Sequence, residues 1–156
     1  MLPKYSDTIF LNQFDEEQQN ILFTIRNKNK KLKLNTTRNV RAKAIHNLII
    51  AIVNDRLDGL NDKKIMNYDI ALLNKNSLTS KTDAFFIGGL IKENNVENGV
   101  ESILLELERI KQNGFINEEL ELYKQKSLSF LEQSLKSKKT RDNNSHIKEI
   151  SRNFLE

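Results

Sequence analysis

The chain has 156 residues and a mass of 18.2 kDa, the size of one domain able to bury a core. Hydrophobic residues make up 38% and charged residues 29%, well above the apolar content of a disordered chain, and the longest apolar run, residues 48–53, is too short to span a bilayer. The 25 basic residues exceed the 21 acidic ones to give a net charge of +4. The absence of Cys excludes a disulfide framework, a Cys-zinc site and a thiol nucleophile.

Residues 1–18 read as an extended lead-in with no apolar core of a signal peptide, which leaves cytoplasmic and periplasmic locations both open. Residues 19–27 alternate, with Ile21, Phe23 and Ile25 against Leu22, Thr24 and Arg26, and predict a strand. Lys28-Asn29-Lys30-Lys31-Leu32-Lys33 follows as a basic loop. Thr36 or Thr37 caps a helix over 38–57 whose Val40, Ala44, Ile45, Leu48, Ile49, Ile52 and Val53 form one stripe, and Gly59 stops it.

Residues 66–74 alternate again through Tyr68, Ile70 and Leu72, and Asn74-Lys75-Asn76-Ser77 predicts a hairpin turn. A third strand over 83–92 is apolar on both faces through Phe85, Phe86, Ile87, Leu90 and Ile91, as befits a central strand. Its Gly88-Gly89 pair points to a bulge or a close backbone approach.

Three helices are then predicted. The first starts near Asn95, carries Val96, Val100, Ile103, Leu104, Leu107 and Ile110 on one face, and ends at Asn113-Gly114-Phe115 with a left-handed glycine. Asn117 caps the second, Glu118 and Glu119 fill its first turn, and Leu120, Leu128, Leu131 and Leu135 form its buried stripe. A second basic run, Lys136-Ser137-Lys138-Lys139-Thr140-Arg141, precedes a last helix opened by Asn143 or Asn144 and bearing Ile147, Ile150, Phe154 and Leu155. The β-α-β-β-α-α-α order predicts an α+β fold, a mainly antiparallel sheet with helices packed on one face.

Chemistry-bearing constellations are few. His146-Ile147-Lys148-Glu149-Ile150 approximates the H-x-x-E-H zinc helix, but Ile150 stands where the second His is required and cannot bind zinc. His46, on an apolar helix, reads as a partly buried, hydrogen-bonded side chain. Glu101, Glu106, Glu108, Glu118, Glu119 and Glu121 could hold a carboxylate pair. Glu119 belongs to a helix first turn, however, and the others interleave with Lys as a solvated face does. Gly88-Gly89 lacks a phosphate-loop pattern and Lys92 is misplaced for one. Neither basic run is interleaved with aromatics, so both read as solvated linkers and nucleic acid as a distant third class of partner. The Asn and Lys richness fits the codon bias of an AT-rich genome. On these residues alone no catalytic or metal-binding side chain is assigned, and substrate-binding residues are unknown.

A longer pattern runs through Ile91-Lys92-Glu93-Asn94-Asn95-Val96-Glu97-Asn98-Gly99-Val100, Leu105-Glu106-Leu107-Glu108-Arg109-Ile110 and Asn113-Gly114-Phe115-Ile116-Asn117-Glu118-Glu119-Leu120. It resembles the insulinase/pitrilysin-type zinc peptidases, relatives of the mitochondrial processing peptidase. In their domains a Glu-rich helix meets Gly-Phe-Thr-x-x-Glu-Leu and a Lys follows four residues on. Gly114, Phe115, Glu119, Leu120 and Lys124 fill those positions, with Ile116 in place of the Thr and Asn117 next to it. Arg56-Leu57 resembles the Arg-Leu end of the family's long helix. The resemblance spans about residues 19–155.

It implies a non-catalytic domain of a zinc-dependent metalloendopeptidase. Zinc and the H-x-x-E-H helix would belong to another domain of the parent, and this chain alone would be inactive. On that expectation residues 1–156 form one unit, a piece of a larger peptidase: a lead-in over 1–18, strand-helix-strand-strand over 19–92 and three helices over 93–156. It would help form a peptide-binding chamber with other domains or a homologous subunit and offer a sheet edge or basic lining to peptide or unfolded-protein substrates. A free-standing, non-enzymatic scaffold domain is the alternative.

Overall fold

A computed structural model describes residues 7–17, 20–62, 67–92, 95–140 and 143–155. Strand β1 (Ile21–Lys30) is followed by helix α1 (Thr37–Asp62), strands β2 (Tyr68–Thr79) and β3 (Thr82–Ile91), and helices α2 (Val96–Asn113), α3 (Asn117–Lys136) and α4 (Asn143–Leu155), with a 3-10 turn at Ser137–Thr140. This is the expected α+β order. Residues 1–6, 18, 19, 63–66, 93, 94, 141, 142 and 156, which include parts of the expected lead-in, strands and helices, lie outside the described residues, as do the side chains of Lys139, Thr140, Glu149, Arg152, Asn153 and Leu155.

The sheet is antiparallel throughout with the order β1-β3-β2, so the strand that is apolar on both faces is indeed the central one. No bulge marks Gly88-Gly89. Both glycines pair in regular register, and a Cβ on either would collide with a carbonyl oxygen of the neighbouring strand, that of Phe23 for Gly88 and that of Ile70 for Gly89. Close backbone approach is the alternative that holds. The irregularities fall instead in β2, between Tyr68 and Ile70 and between Ser77 and Thr79.

Both hairpin strands run past the expected turn at 74–77 to a turn at Ser80-Lys81. Cross-strand contacts explain the extension. Lys75 pairs with Asp83 at 3.3 Å, the Ser77 hydroxyl donates to the same carboxylate at 2.8 Å, and the Lys75 ammonium lies over the Phe85 ring. Together these outweigh the turn preference of Asn and Ser. Helix α1 likewise continues through Gly59 to Asp62. Nothing lies within 4 Å of a Cβ at Gly59, and the extra turn lets the Asn61 amide donate to the Asp69 carbonyl at 2.7 Å.

One face of the sheet carries the core. Val53 and Leu57 of α1, Ile103 of α2, and Tyr68, Ala71, Ile87 and Ile91 of the sheet are buried together, with Phe23, Ile49, Leu73, Leu107, Ile110 and Phe115 packed around them. The Tyr68 hydroxyl donates to the Leu57 carbonyl at 2.8 Å inside this core, and burial, aided by the charges of Asp58 and Glu106, raises its pKa to about 12. Asn54 both donates to the Leu73 carbonyl (3.1 Å) and accepts from its N–H (2.7 Å). With Asn61, it seals the outer edge of β2.

The helical stripes are only half used. In α1, Ile52, Val53 and Leu57 are buried whereas Val40, Ala44 and Ile45 are exposed. In α2 the buried line is Gly99, Ile103 and Glu106, so the expected stripe is rotated and Val96 and Leu104 face outward. The expected buried stripe of α3 is corrected outright: Leu128 is 59% and Leu135 71% exposed, Leu131 is exposed, and only Leu120 is half-buried. Helix α3 meets α1 through its first turn, where Glu119 pairs with Arg56, and its later turns are exposed. Ile147, Ile150 and Phe154 on α4 are exposed too. The chain consequently exposes 13038 Å². About 8,100 Å² is typical of a compact monomer of 18.2 kDa.

The link from α2 to α3 depends on Gly114, whose φ of 69° has the expected sign. Its ψ of −151° is extended, so the residue is not the helical left-handed cap of the sequence reading but occupies a region open almost only to glycine. Its N–H still closes the last turn on the Ile110 carbonyl at 2.8 Å. Ile116, not Asn117, is the N-cap of α3, because the Glu119 carboxylate accepts from the Ile116 N–H at 3.2 Å while Asn117 is already helical. Since nothing crowds Gly114, a Gly114→Ala change adds backbone strain alone. Denaturant titration should show a loss of about 1–3 kcal/mol, and an unchanged midpoint would contradict this conformation.

Candidate functional site

Two places collect residues that the sequence singled out. The first is the junction of α1, α2 and α3. Arg56 stands beside fully buried Leu57, so its direction is set by the core. Its guanidinium grips Glu119 with two bonds of 2.7 Å, one from Nε to Oε1 and one from Nη2 to Oε2. Nη2 also reaches the Gly114 carbonyl at 3.4 Å, Nη1 lies 3.5 Å from buried Glu106, and the guanidinium lies 5.5 Å from the Phe115 ring centre. Arg109 adds a second cation to Glu106 at 3.5 Å.

The bond to Arg56 holds the Glu119 carboxyl below the usual carboxylate range, and the bond to Glu119 raises the Arg56 pKa. Arg56, Gly114, Phe115 and Glu119, which carried the family resemblance from distant stretches of sequence, thus converge on one cluster. Lys124 does not join them and pairs with Glu121 at 2.7 Å on the surface. Every charge at the junction is matched, so the cluster holds helices and offers no free acid or base.

The remaining candidates stay apart. His146 and Ile150 are exposed on α4. Among the described residues no group of three or more His, Asp or Glu could hold a metal. Glu101, Glu108, Glu118 and Glu121 are exposed as expected, but Glu106 is 6% exposed because Arg56 and Arg109 neutralise it. His46 is half-buried as expected, but its Nδ1 has no hydrogen-bond partner and the ring instead meets Phe85 edge-on at 5.3 Å. Burial, and then the charge of Lys75, lower its pKa and keep it neutral near pH 7. It lines a cleft of ≈ 570 Å³ with Asn47, Asn54, Lys75, Ser77 and Asp83. The Ser77 hydroxyl is committed to Asp83, so the cleft holds no nucleophile paired with a base.

The second place is the sheet face opposite the core. Alternation and register lay out its rows: Leu22, Leu90 and Ile70; Thr24, Gly88 and Leu72; Arg26, Phe86 and Asn74; Lys28, Ala84 and Asn76. The helices that contact the sheet, α1 and α2, pack on the core side. Leu22 is 67% and Ile70 52% exposed, so this face is an apolar floor that turns basic toward the β2–β3 turn. Sequence reasoning missed it by assigning Lys28 and Lys30 to a loop, when they are the last turns of an alternation that runs unbroken from Leu22 along β1. Among the described residues the outer edge of β1 also has no strand beside it.

No protein-family profile matches the chain, and no curated protein matches it in sequence. Two solved structures share its fold. One is the periplasmic protease PqqL of Escherichia coli, at a TM-score of 0.82 and 17% identity over 90% of this chain and 16% of that protein. The other is the first half of PqqL, at 0.76 and 18% over 84% of this chain and 28% of that one. The chain therefore spans 16% of the full protease and 28% of its half.

Arg56→Met leaves Glu106 and Glu119 without their shared cation and should cost about 2–4 kcal/mol in denaturant unfolding. The Glu119 contribution has a defined pH dependence. With its folded pKa depressed, it is fully present above about pH 4.3 and is lost as pH falls from there through the folded value. Stability measured against pH should show this acid-side loss in the natural chain and a shallower one in Glu119→Gln. Identical slopes would remove Glu119 from the junction.

Proposed function

We propose that this chain is a non-catalytic domain of a zinc-dependent metalloendopeptidase and that its helix-free sheet face is part of the wall of the peptide-binding chamber. The observation that carries the reading is this open face, apolar at one end and basic at the other, on a fold shared with a unit of a periplasmic protease. The meeting of Arg56, Gly114, Phe115 and Glu119 supports it from the side of the sequence resemblance. This chain's own residues do not fit zinc: Ile150 replaces the second His, and no acid-imidazole group gathers among the described residues. Zinc is assigned to another domain of the parent, and no chemical step is assigned here. The partners on this reading are that domain, or a homologous subunit, and an extended peptide substrate.

A free-standing scaffold domain is the competing reading, favoured by the apolar residues left open on α3 and α4. Purification of the natural gene product through a tag on its chromosomal copy separates the two. The peptidase reading expects a polypeptide or complex larger than 18.2 kDa that contains zinc and degrades an unfolded protein until a chelator is added. An 18.2 kDa species with neither zinc nor peptidase activity establishes the scaffold instead.

A further inference from the structure

We infer that the end of the molecule formed by the β1–α1 loop, the first turns of α1 and the β2–β3 turn is a docking surface for an anionic lipid bilayer; the inference is independent of the peptidase reading. Residues 18–54 contain eight of the 25 cations and none of the 21 carboxylates. The fold ties this segment to the hairpin turn at one end. The Lys31 N–H donates to the Lys81 carbonyl at 2.9 Å, and the Asn39 amide donates to the Lys33 carbonyl at 2.6 Å. Lys30, Lys33, Arg38, Arg41, Lys43 and Lys81 are exposed there, and among the described residues none of these six has a carboxylate partner. Asp83, on the hairpin strand beside them, is buried and held by Lys75 and Ser77. Asp15, Glu16 and Glu17 precede the other end of β1, about 30 Å from Lys30 along the strand.

Charge alone suits any polyanion. Three apolar side chains at the same end, one from each element, favour a bilayer: Leu34 of the loop, Val40 of α1 and Leu78 beside the hairpin turn are each about half exposed. Leu34, Lys43 and Ser77 line one cleft, so loop, helix and hairpin meet there. Aliphatic tips set among cations match a bilayer interface, where apolar side chains enter the acyl boundary while Lys and Arg meet the lipid phosphates. A nucleic acid offers no apolar layer for such tips, and among the described residues no well-exposed aromatic at this end could stack on its bases. Arg38 also stands in the first turn of α1, which has no acidic residue, although a cation there opposes the helix dipole. That placement costs the helix stability and serves an anionic surface. No helix among the described residues is long and apolar enough to cross a membrane, so the contact is peripheral.

Co-sedimentation of the full chain with phosphatidylcholine vesicles, pure or mixed with phosphatidylglycerol, tests this. The unaltered chain should bind the mixed vesicles at least about tenfold more tightly, and added salt should weaken that binding. Arg38→Gln combined with Arg41→Gln should lower the affinity about tenfold or more. Lys136→Gln combined with Lys138→Gln, the same loss of charge on exposed residues at the end of α3, should leave it within about twofold. Leu34→Ser combined with Leu78→Ser should weaken binding severalfold with all the cations kept. Equal binding to the two kinds of vesicle overturns the docking surface. Equal loss with the Lys136 and Lys138 pair overturns it in favour of diffuse attraction to a basic chain. Unchanged binding by the leucine pair overturns the apolar contact on which the choice of a bilayer rests. Tighter binding to a DNA duplex than to the mixed vesicles, lost with the arginine pair and kept with the leucine pair, overturns the lipid assignment in favour of nucleic acid.

Discussion

The arrangement of the helices turns on the grip of Arg56 on Glu119. Both partners are about four-fifths shielded, with side-chain exposures of 21% and 23%, so the fork-to-carboxylate pair gains strength from a partly dry setting without the desolvation cost of a fully buried one. Arg56 cannot wander, because Leu57 beside it is locked in the core against Tyr68, whose hydroxyl holds the Leu57 carbonyl. Glu119 in turn fixes the start of α3, since one of its oxygens also takes the Ile116 N–H. The short link from Asn113 to Asn117 can serve this geometry only because Gly114 adopts a backbone conformation that side chains resist. Glu106 joins from α2, so a single guanidinium relates three helices.

The sheet derives its two different faces from the same core. Ala71, Leu73, Ile87, Ile91 and Phe23 face the helices, and alternation sends Leu22, Ile70, Leu72, Phe86 and Leu90 the other way. The edges differ as well. Asn54 and Asn61 of α1 occupy the backbone groups of Leu73 and Asp69 on the β2 side, while β1 borders no further strand among the described residues. Strand β3 needs glycine at 88 and 89 because its neighbours approach too closely for a Cβ, which leaves the centre of the sheet thin on both faces.

Much of this was legible in the sequence, for physical reasons that can be named. Period-two and three-four spacing depend only on local geometry, so every strand and helix was found in its right order, and the doubly apolar pattern of β3 marked it as central. What escaped was decided by contacts distant in sequence. The Asn74–Ser77 segment is turn-forming by itself, but Lys75 and Ser77 find Asp83 across the ladder and stay extended. Gly59 is a poor helix residue, yet Asn61 gains a partner in Asp69 only if the helix passes through it. The Leu128-Leu131-Leu135 stripe announces an amphipathic helix truly enough, but a stripe carries no information on whether a second surface is present to meet it. Glu106 read as solvated because the cation that buries it lies fifty residues earlier, on α1.

The surfaces left open are of two chemical kinds, and the difference bears on the role proposed for the chain. Along α3 and α4 the exposed residues are large and aliphatic or aromatic: Leu128, Phe130, Leu131, Leu135, Ile147, Ile150 and Phe154. They lie on helices that add little to the core, and surface of that character is typical of contacts that stay buried in an assembly. The sheet face mixes leucine and isoleucine with Thr24, Arg26, Asn74 and Asn76 over a backbone floor. On the role proposed for the chain, a domain of a larger enzyme would need both kinds of surface, one to stay attached and one to meet substrate. The fold keeps the two apart, the mixed surface on the sheet and the aliphatic one on α3 and α4.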